Sequence, residues 1–328
     1  MTLMKAMVVD RYGKPSDMWM ADLPVPDPGA GEVLVRVHVT AVNDWDWGFV
    51  TGRPLEYRPL FGLLRPKVSV LGVDIAGEVH AVGSSVQSLK PGERVLGDLS
   101  GDRFGGFAEF VLAKEKSLRR MPDEMDYDLA ATLPHASMLA WQALVDVARI
   151  RAKERVLING AGGGVGAFGA QIAKSFGCEV TGVDAAEKFQ SMRSVGFDHV
   201  IDYRESDFSR RDERYDLILD ARATRSPFAI RRALRDEGRY VAVGGHTTRI
   251  LQILLAAPLI ARLHGVHLHM LALKPNHGLE NILALWSTRG LTCPVEGPYA
   301  FDDLPQALSL FGSARHAGKV LIRVALRT

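Results

Sequence analysis

Ahead of Pro122, hydrophobic and polar positions alternate in short runs. The clearest are "EVLVRVHV" (Glu32 to Val39), "GVDIAGEVHAVG" (Gly72 to Gly83) and "FAEFVLA" (Phe107 to Ala113). Alternation of this kind predicts half-buried strands, and the turn-rich "PDPGAGE" and "LKPGE" between them predict tight connections. This part of the chain therefore reads as a small β-rich domain. Beyond Pro122 the texture changes. Apolar strands such as "RVLIN", "CEVTGVD", "HVIDY", "YDLILDA" and "RYVAVGG" alternate with the helical patterns "VGAFGAQIAKSFG", "EKFQSMRSVG" and "SPFAIRRALRDEG". Repeated strand–helix units predict a parallel sheet with helices on both faces, hence an α/β doubly wound domain.

Two later segments complete the pattern. After an amphipathic stretch from Ile250 to Leu263, "VHLHMLALKP" (Val266 to Pro275) is apolar on both faces. A strand of that character sits centrally in a sheet or pairs with another subunit's edge, which points to a homodimer. The tail "KVLIRVAL" (Lys319 to Leu326) predicts a strand that returns to the first domain. The expected partition is residues 1–123 as the β-rich domain, completed by 294–328, and 124–293 as the doubly wound domain.

Composition removes several alternatives. A chain of 328 residues suits two domains. Its formal charge of +2, with scattered basic residues, lacks the focused basic stripe of a nucleic-acid binder. Two cysteines, Cys178 and Cys293, make neither a disulfide framework nor a four-cysteine zinc site. The start, "MTLMKAMVVD", has no signal-peptide apolar region, and the longest apolar run, Ile250 to Ala261, is too short for a bilayer and contains Pro258. A cytoplasmic protein acting on a small molecule is expected, with neither nucleic acid nor membrane as partner.

The strongest chemical signal is "VLINGAGGGVGAFGAQIAKSFG". A strand runs into Gly160, Gly162, Gly163, Gly164 and Gly166 and then into a helix. Such a loop lets backbone N–H groups approach a pyrophosphate at a helix N-terminus. About twenty residues on, a second strand ends at Asp184, where a carboxylate accepts hydrogen bonds from an adenosine ribose and repels a 2′-phosphate. That favours NAD(H), with NADP(H) possible if Lys188, Arg193 or Arg204 receives the phosphate rather than serving as a solvated charge.

With these motifs in place, the chain resembles the medium-chain dehydrogenase/reductase superfamily, in its zinc-independent quinone oxidoreductase (zeta-crystallin-like) branch. The marks are "LPVPDPGAGEVLVRV", "LGVDIAGEVHAVG", "KPGERVLGD", "GGFAEFV", "GAGGGVG", "HVIDY" and "GKVLIRV", in that order along nearly the whole chain. The resemblance implies a GroES-like domain joined to a Rossmann domain, with the site in a cleft between them, and a dimer paired through the run from Val266. It implies cofactor contacts at Gly163, Gly164 and Val165 in the loop, Asp184 at the ribose, Tyr203 near the adenosine, Gly244 and Gly245 near the nicotinamide, and Lys319 near the cofactor; Gly162 of the glycine loop and Lys188 are further cofactor-binding candidates.

"AVNDWDWG" (Ala41 to Gly48) then becomes legible. In the zinc-dependent alcohol dehydrogenases the positions matching Asn43, Val73 and His135 are metal ligands, and Asp74 stands where they carry glutamate. With Asn43 and Val73 there, the resemblance implies a metal-free polar pocket, without zinc, rather than a thiolate–imidazole site. Asn43, Asp46 and His135 are the catalytic candidates. Asn43 could hold a substrate carbonyl or the nicotinamide carboxamide, or merely form a turn. His135 could donate a proton, or be structural. Asp46, Asp74 and His135 could also gather around an adventitious cation. Trp45, Trp47, Tyr57 and Phe61 could wall a flat substrate, or belong to core and surface packing. The chain departs from the branch at Leu139, where a threonine is frequent, and at Gly48 and Val50, where basic residues are common. The expected chemistry is hydride transfer from the nicotinamide to a quinone or α,β-unsaturated carbonyl. The alternatives are an NADP-linked alcohol/ketone reductase and a non-catalytic dinucleotide-binding sensor.

Overall fold

The strand Glu32–Ala41 is the spine of the first unit. Val33, Val35, Val37 and Val39 are buried while Arg36 is exposed, as the alternation predicts. In the computed structural model, which describes residues 2–245 and 247–324, this strand belongs to a seven-stranded sheet. The sheet runs Val295–Ala300, Lys319–Arg323, Glu32–Ala41, Asp74–Val82, Arg94–Asp98, Arg119–Arg120, with Phe110–Lys114 also pairing Glu32–Ala41. All neighbours are antiparallel except Val295–Ala300 and Lys319–Arg323. The predicted tail strand is thus present as Lys319–Arg323, while residues 325–328 lie outside the described residues.

The chain divides into two compact units: Met1–His135 with Lys274–Leu283 and Val295–Thr328, and Ala136–Leu273 with Ala284–Pro294. The first unit continues past the expected boundary at 123/124 because the helix Tyr127–Thr132 packs on Glu32–Ala41 and Asp74–Val82. Its carboxyl-terminal contribution also starts earlier than 294, since Lys274–Leu283 joins it.

In the second unit, six parallel strands run in the order His199–Asp202, Glu179–Asp184, Arg155–Asn159, Tyr215–Asp220, Leu234–Ala242, His267–Met270. Arg155–Asn159, Glu179–Asp184 and Tyr215–Asp220 are buried over most of their length, as strands covered on both faces are, which is why they read as unbroken apolar runs. The order reverses between Arg155–Asn159 and Tyr215–Asp220, the switch point at which doubly wound sheets bind ligands.

Two elements differ from the sequence pattern. The helix at "SPFAIRRALRDEG" covers only Pro227–Ala233, capped by Ser226 Oγ, because Leu234 already pairs with Tyr215 in the sheet. The run from Val266 forms only the short edge strand His267–Met270; Pro275, lacking an N–H, and Asn276 at φ 60° turn the chain away. Among the described residues no helix is long and apolar enough to cross a membrane.

Candidate active site

Asn43 ends the exit of the central strand and starts the helix Asp44–Thr51. Asp46 stabilises that start: its Oδ2 accepts from Asn43 N at 2.9 Å, and its Oδ1 accepts from Gly72 N at 2.9 Å. Both oxygens of this fully buried carboxylate are therefore engaged by backbone. Burial pushes its pKa up to about 7, against the pull of those two N–H groups. Asp46 thus ties the start of this helix to the Gly72 turn.

The buried side chains of Asn43, Asp74 and Lys319 form a triangle. Lys319 Nζ donates to Asn43 Oδ1 at 2.6 Å and to Asp74 Oδ2 at 2.8 Å, while Asn43 Nδ2 donates to Asp74 Oδ2 at 3.0 Å and to Ala41 O at 3.2 Å. An ammonium has only donors, so it fixes the amide oxygen toward itself and the amide nitrogen toward the carboxylate. The second oxygen of Asp74 accepts from His135 N at 2.9 Å. Removing one partner of a buried pair like Asp74–Lys319 typically costs about 3–5 kcal/mol, because the other charge is left uncompensated.

The His135 side chain completes the cluster. Its Nδ1 lies 2.8 Å from Asp98 Oδ2, and Asp98 is fully buried. Asn276 clamps the Asp98 backbone, accepting from Asp98 N at 2.9 Å and donating to Asp98 O at 2.7 Å; Ser100 N binds Asp98 Oδ1. Burial works against a charged imidazole, but Asp98 through charge and hydrogen bond, helped by Asp74, lifts the His135 pKa above its ordinary value. Burial would likewise raise Asp98, yet His135 and Ser100 hold it below the usual carboxylate range. Both directions favour the imidazolium–carboxylate form of the pair, in which Nδ1–H donates to Asp98. Asp98 ends the stretch "KPGERVLGD", which gives no sign of its pairing with His135, and Asn276 lies in no motif.

The aromatic candidates separate. Trp45 is 37% exposed and meets Phe61 edge-on, with ring centroids 5.9 Å apart. Trp47 and Phe61 belong to the apolar cluster with Phe49, Leu304 and Leu308, the core-packing alternative to a substrate wall. Trp47 lies over Gly312, where an added Cβ would approach the ring to 2.2 Å; Phe61 packs on Gly48 in the same manner. The side chain of Tyr57 lies outside the described residues.

In the second unit the glycine loop follows the strand Arg155–Asn159, and Gly163 is the N-cap of the helix Gly164–Ser175. Gly160 has φ +83°, which a side-chain-bearing residue adopts only under strain. A Cβ on Gly163 would have only Gly160 O near it, at 3.6 Å, so the helix N-terminus offers an open cradle. Such a cradle fits a dinucleotide pyrophosphate held by the N–H groups of Gly164 and Val165, while Gly163 N donates to Gly160 O at 3.3 Å. Asp184 Oδ2 accepts from Gly162 N at 2.9 Å, and Lys188 Nζ sits 3.5 Å from Asp184 Oδ1, so this lysine offsets the aspartate charge. Tyr203, half-exposed, follows the neighbouring strand, with Arg204 over its ring and paired to Glu187. Gly245, at φ +127°, follows Gly244, whose Cβ position is open. At the switch point Asp220, unrecognised in the sequence, accepts from Asn159 Nδ2 at 2.8 Å and Tyr240 OH at 3.0 Å.

Zinc does not fit these side chains. No group of three His, Cys, Asp or Glu that could hold a metal occurs among the described residues, Val73 is fully buried, and the Asp74 carboxylate already holds an ammonium.

Residues 29–123 match the alcohol dehydrogenase GroES-like domain and residues 195–322 match the zinc-binding dehydrogenase family. The chloroplast envelope quinone oxidoreductase homolog of Arabidopsis thaliana is 32% identical over 70% of this chain and 70% of its own length. The zinc-type alcohol dehydrogenase-like protein C16A3.02c of Schizosaccharomyces pombe is 27% identical over 97% of this chain and 96% of its own. The quinone oxidoreductase of Coxiella burnetii shares the fold with a TM-score of 0.86, at 24% identity, over 99% of this chain and 100% of that structure. The chain belongs to the medium-chain dehydrogenase/reductase superfamily, as an NAD(P)-dependent oxidoreductase of the quinone-reductase type.

Proposed function

We propose that the protein reduces electron-poor conjugated carbonyls, either quinones or α,β-unsaturated ketones and aldehydes, without a metal. The observation that carries this reading is the buried His135–Asp98 pair beside a cluster whose cation is an ammonium. A bound nicotinamide cofactor supplies the hydride. His135, with Nδ1–H held by Asp98, presents a protonated Nε2 as the proton source. Conjugation lowers the demand for carbonyl polarisation, which in this site falls to hydrogen-bond donors alone. Asp184 beside Gly162 supports a preference for NAD(H), since its carboxylate repels a 2′-phosphate.

A panel assay tests this. Oxidation of NADH, faster than of NADPH, is expected with p-benzoquinone and a 2-alkenal, little with a saturated ketone, and it should survive prolonged chelation. Stoichiometric zinc whose removal abolishes turnover would sink the metal-free reading. Dinucleotide binding with no turnover of any acceptor would favour the sensor instead.

We further propose a homodimer that covers the edge strand His267–Met270 and the outer face of the helix Thr247–His264. That helix leaves Leu251, Leu254, Leu255, Leu259 and Leu263 each more than half exposed, an apolar surface uncommon on a monomer. Light scattering at micromolar concentration should give twice the chain mass, and Leu255→Glu should lower it; a stable wild-type monomer defeats the idea.

A further inference from the structure

A carbonyl undergoing conjugate reduction needs a donor aimed at its oxygen, where the negative charge collects. The hydrogen bonds around Asn43 show which donors remain. Both N–H bonds of the Asn43 amide are taken, by Asp74 Oδ2 and Ala41 O. The backbone N–H groups of Asn43 and Gly72 are held by Asp46, and that of His135 by Asp74. Thr40 Oγ1 donates to Asp74 O. Among these side chains, the Nε2 of His135 and the third N–H of Lys319, whose other two go to Asn43 Oδ1 and Asp74 Oδ2, are not engaged by these bonds.

We propose that the Lys319 ammonium is the electrophile that polarises the substrate carbonyl. This inference rests on the conjugated-carbonyl reading above and reassigns Lys319 from holding cofactor to binding the reacting oxygen. Sheet register brings the lysine there. Leu321 pairs with Ala41 and Val42 N donates to Val320 O, so Lys319 falls opposite Asn43 although 276 positions separate them in sequence. Asn43 Oδ1 and Asp74 Oδ2 aim the amine, and Asp74 is itself fixed by His135 N and Thr40 Oγ1. With Lys319 only 4% exposed, its field is little screened by water.

Hydride adds to the β-carbon, the C=C π pair moves toward the carbonyl, and the carbonyl π pair becomes the enolate oxygen lone pair, which Lys319 stabilises without giving up its proton. The enolate then takes the His135 proton at the α-carbon, leaving a saturated ketone and a neutral imidazole that regains a proton from solvent. An aspartate-neutralising lysine with no part in the reaction is the competing explanation.

The two are separated by Lys319→Met and the double variant Lys319→Met/Asp74→Asn. The single variant strands a buried carboxylate and should melt at lower temperature; the double removes both charges and should regain stability. With an enone, kcat should remain down by about 100-fold in the double variant, as for the loss of one oxyanion donor. The loss should be smaller with p-benzoquinone, and the affinity for NADH should be unchanged in both variants. A double variant that turns over enone near the wild-type rate overturns the inference, as does an equal loss for both acceptors accompanied by lost NADH affinity. A second measurement needs no Lys319 variant. The infrared carbonyl stretch of an isotope-labelled enone bound to wild-type protein should shift to lower frequency than in water, and keep that shift in His135→Gln. An unshifted band, or a shift lost in His135→Gln, overturns it. A wild type that reduces neither enones nor quinones sinks the underlying reading and the inference together; a working wild type with a working double variant sinks the inference alone.

Discussion

Replacing His135 with Gln should lower kcat/KM for an enone by about 100-fold or more, the usual contribution of a positioned general acid. The wild-type profile should hold at low pH and decline as pH rises past the ordinary histidine value. Asp98 raises the His135 pKa despite its burial, so the acid form is present at low pH and is lost as pH rises through that raised value. The same shift makes the charged pair a stability term, fully present below the ordinary histidine value and lost as pH climbs through the folded one. The charged groups facing the imidazole are Asp98, Asp74 and Lys319, of which the first two support its charge and the third opposes it. Asp98→Asn removes the largest support, so burial then dominates and the alkaline decline should move to lower pH. In His135→Gln that decline should disappear along with the rate. Profiles of kcat/KM against pH for the three proteins check this; a Gln variant that keeps both rate and decline removes His135 from the chemistry.

The sequence exposes part of this site and hides the rest for a physical reason. Asn43, Asp74, His135 and Lys319 stand in motifs with local spacing, and they do meet in one cluster. What each does depends on hydrogen-bond partners far away in sequence. Asn43 looks like a donor in isolation, but Asp74, 31 residues on, takes one of its amide hydrogens. Asp98 lies 37 residues from His135, and Asn276 lies 178 from Asp98, so neither pairing leaves a local pattern. Trp47 and Phe61 are an aromatic cluster in either setting. Only the close approach of Gly312 and Gly48 shows that their rings fill the core.

The fold is legible wherever burial imposes a period. Glu32–Ala41 alternates because the residues on one face are buried among valines, and the parallel strands run apolar because both faces are covered. Ends are less legible. In "ALRDEG" nothing local disfavours helix before Gly238, yet Leu234 is taken by the strand Tyr215–Asp220, with which it pairs. The apolar run from Val266 looks like one long strand, but its later part, from Lys274, packs with the first unit instead.

The other large effect is expected in the glycine loop, where two glycines should behave differently. Gly166 lies on the first turn of the helix Gly164–Ser175, and an added Cβ there would fall 2.3 Å from Ala161 O and 2.5 Å from Ala161 Cα. Backbone cannot yield as a side-chain tip can, so Gly166→Val must pull the loop off the helix. A loss of about 1–3 kcal/mol or more in stability is expected from such overpacking. With the N–H groups displaced, NADH affinity should fall by about 100-fold, as expected when several pyrophosphate hydrogen bonds go together. Gly163 is different. Its φ of −92° is open to alanine, and a methyl there meets nothing closer than Gly160 O at 3.6 Å. Gly163→Ala should therefore melt like wild type, yet its methyl would occupy the space through which the pyrophosphate approaches. Its NADH affinity should fall by about tenfold, the cost of about 1.4 kcal/mol of lost contact. Thermal melts and fluorescence titration of both variants separate packing from binding. A Gly163→Ala protein that binds NADH as tightly as wild type would place the pyrophosphate elsewhere than at this helix N-terminus.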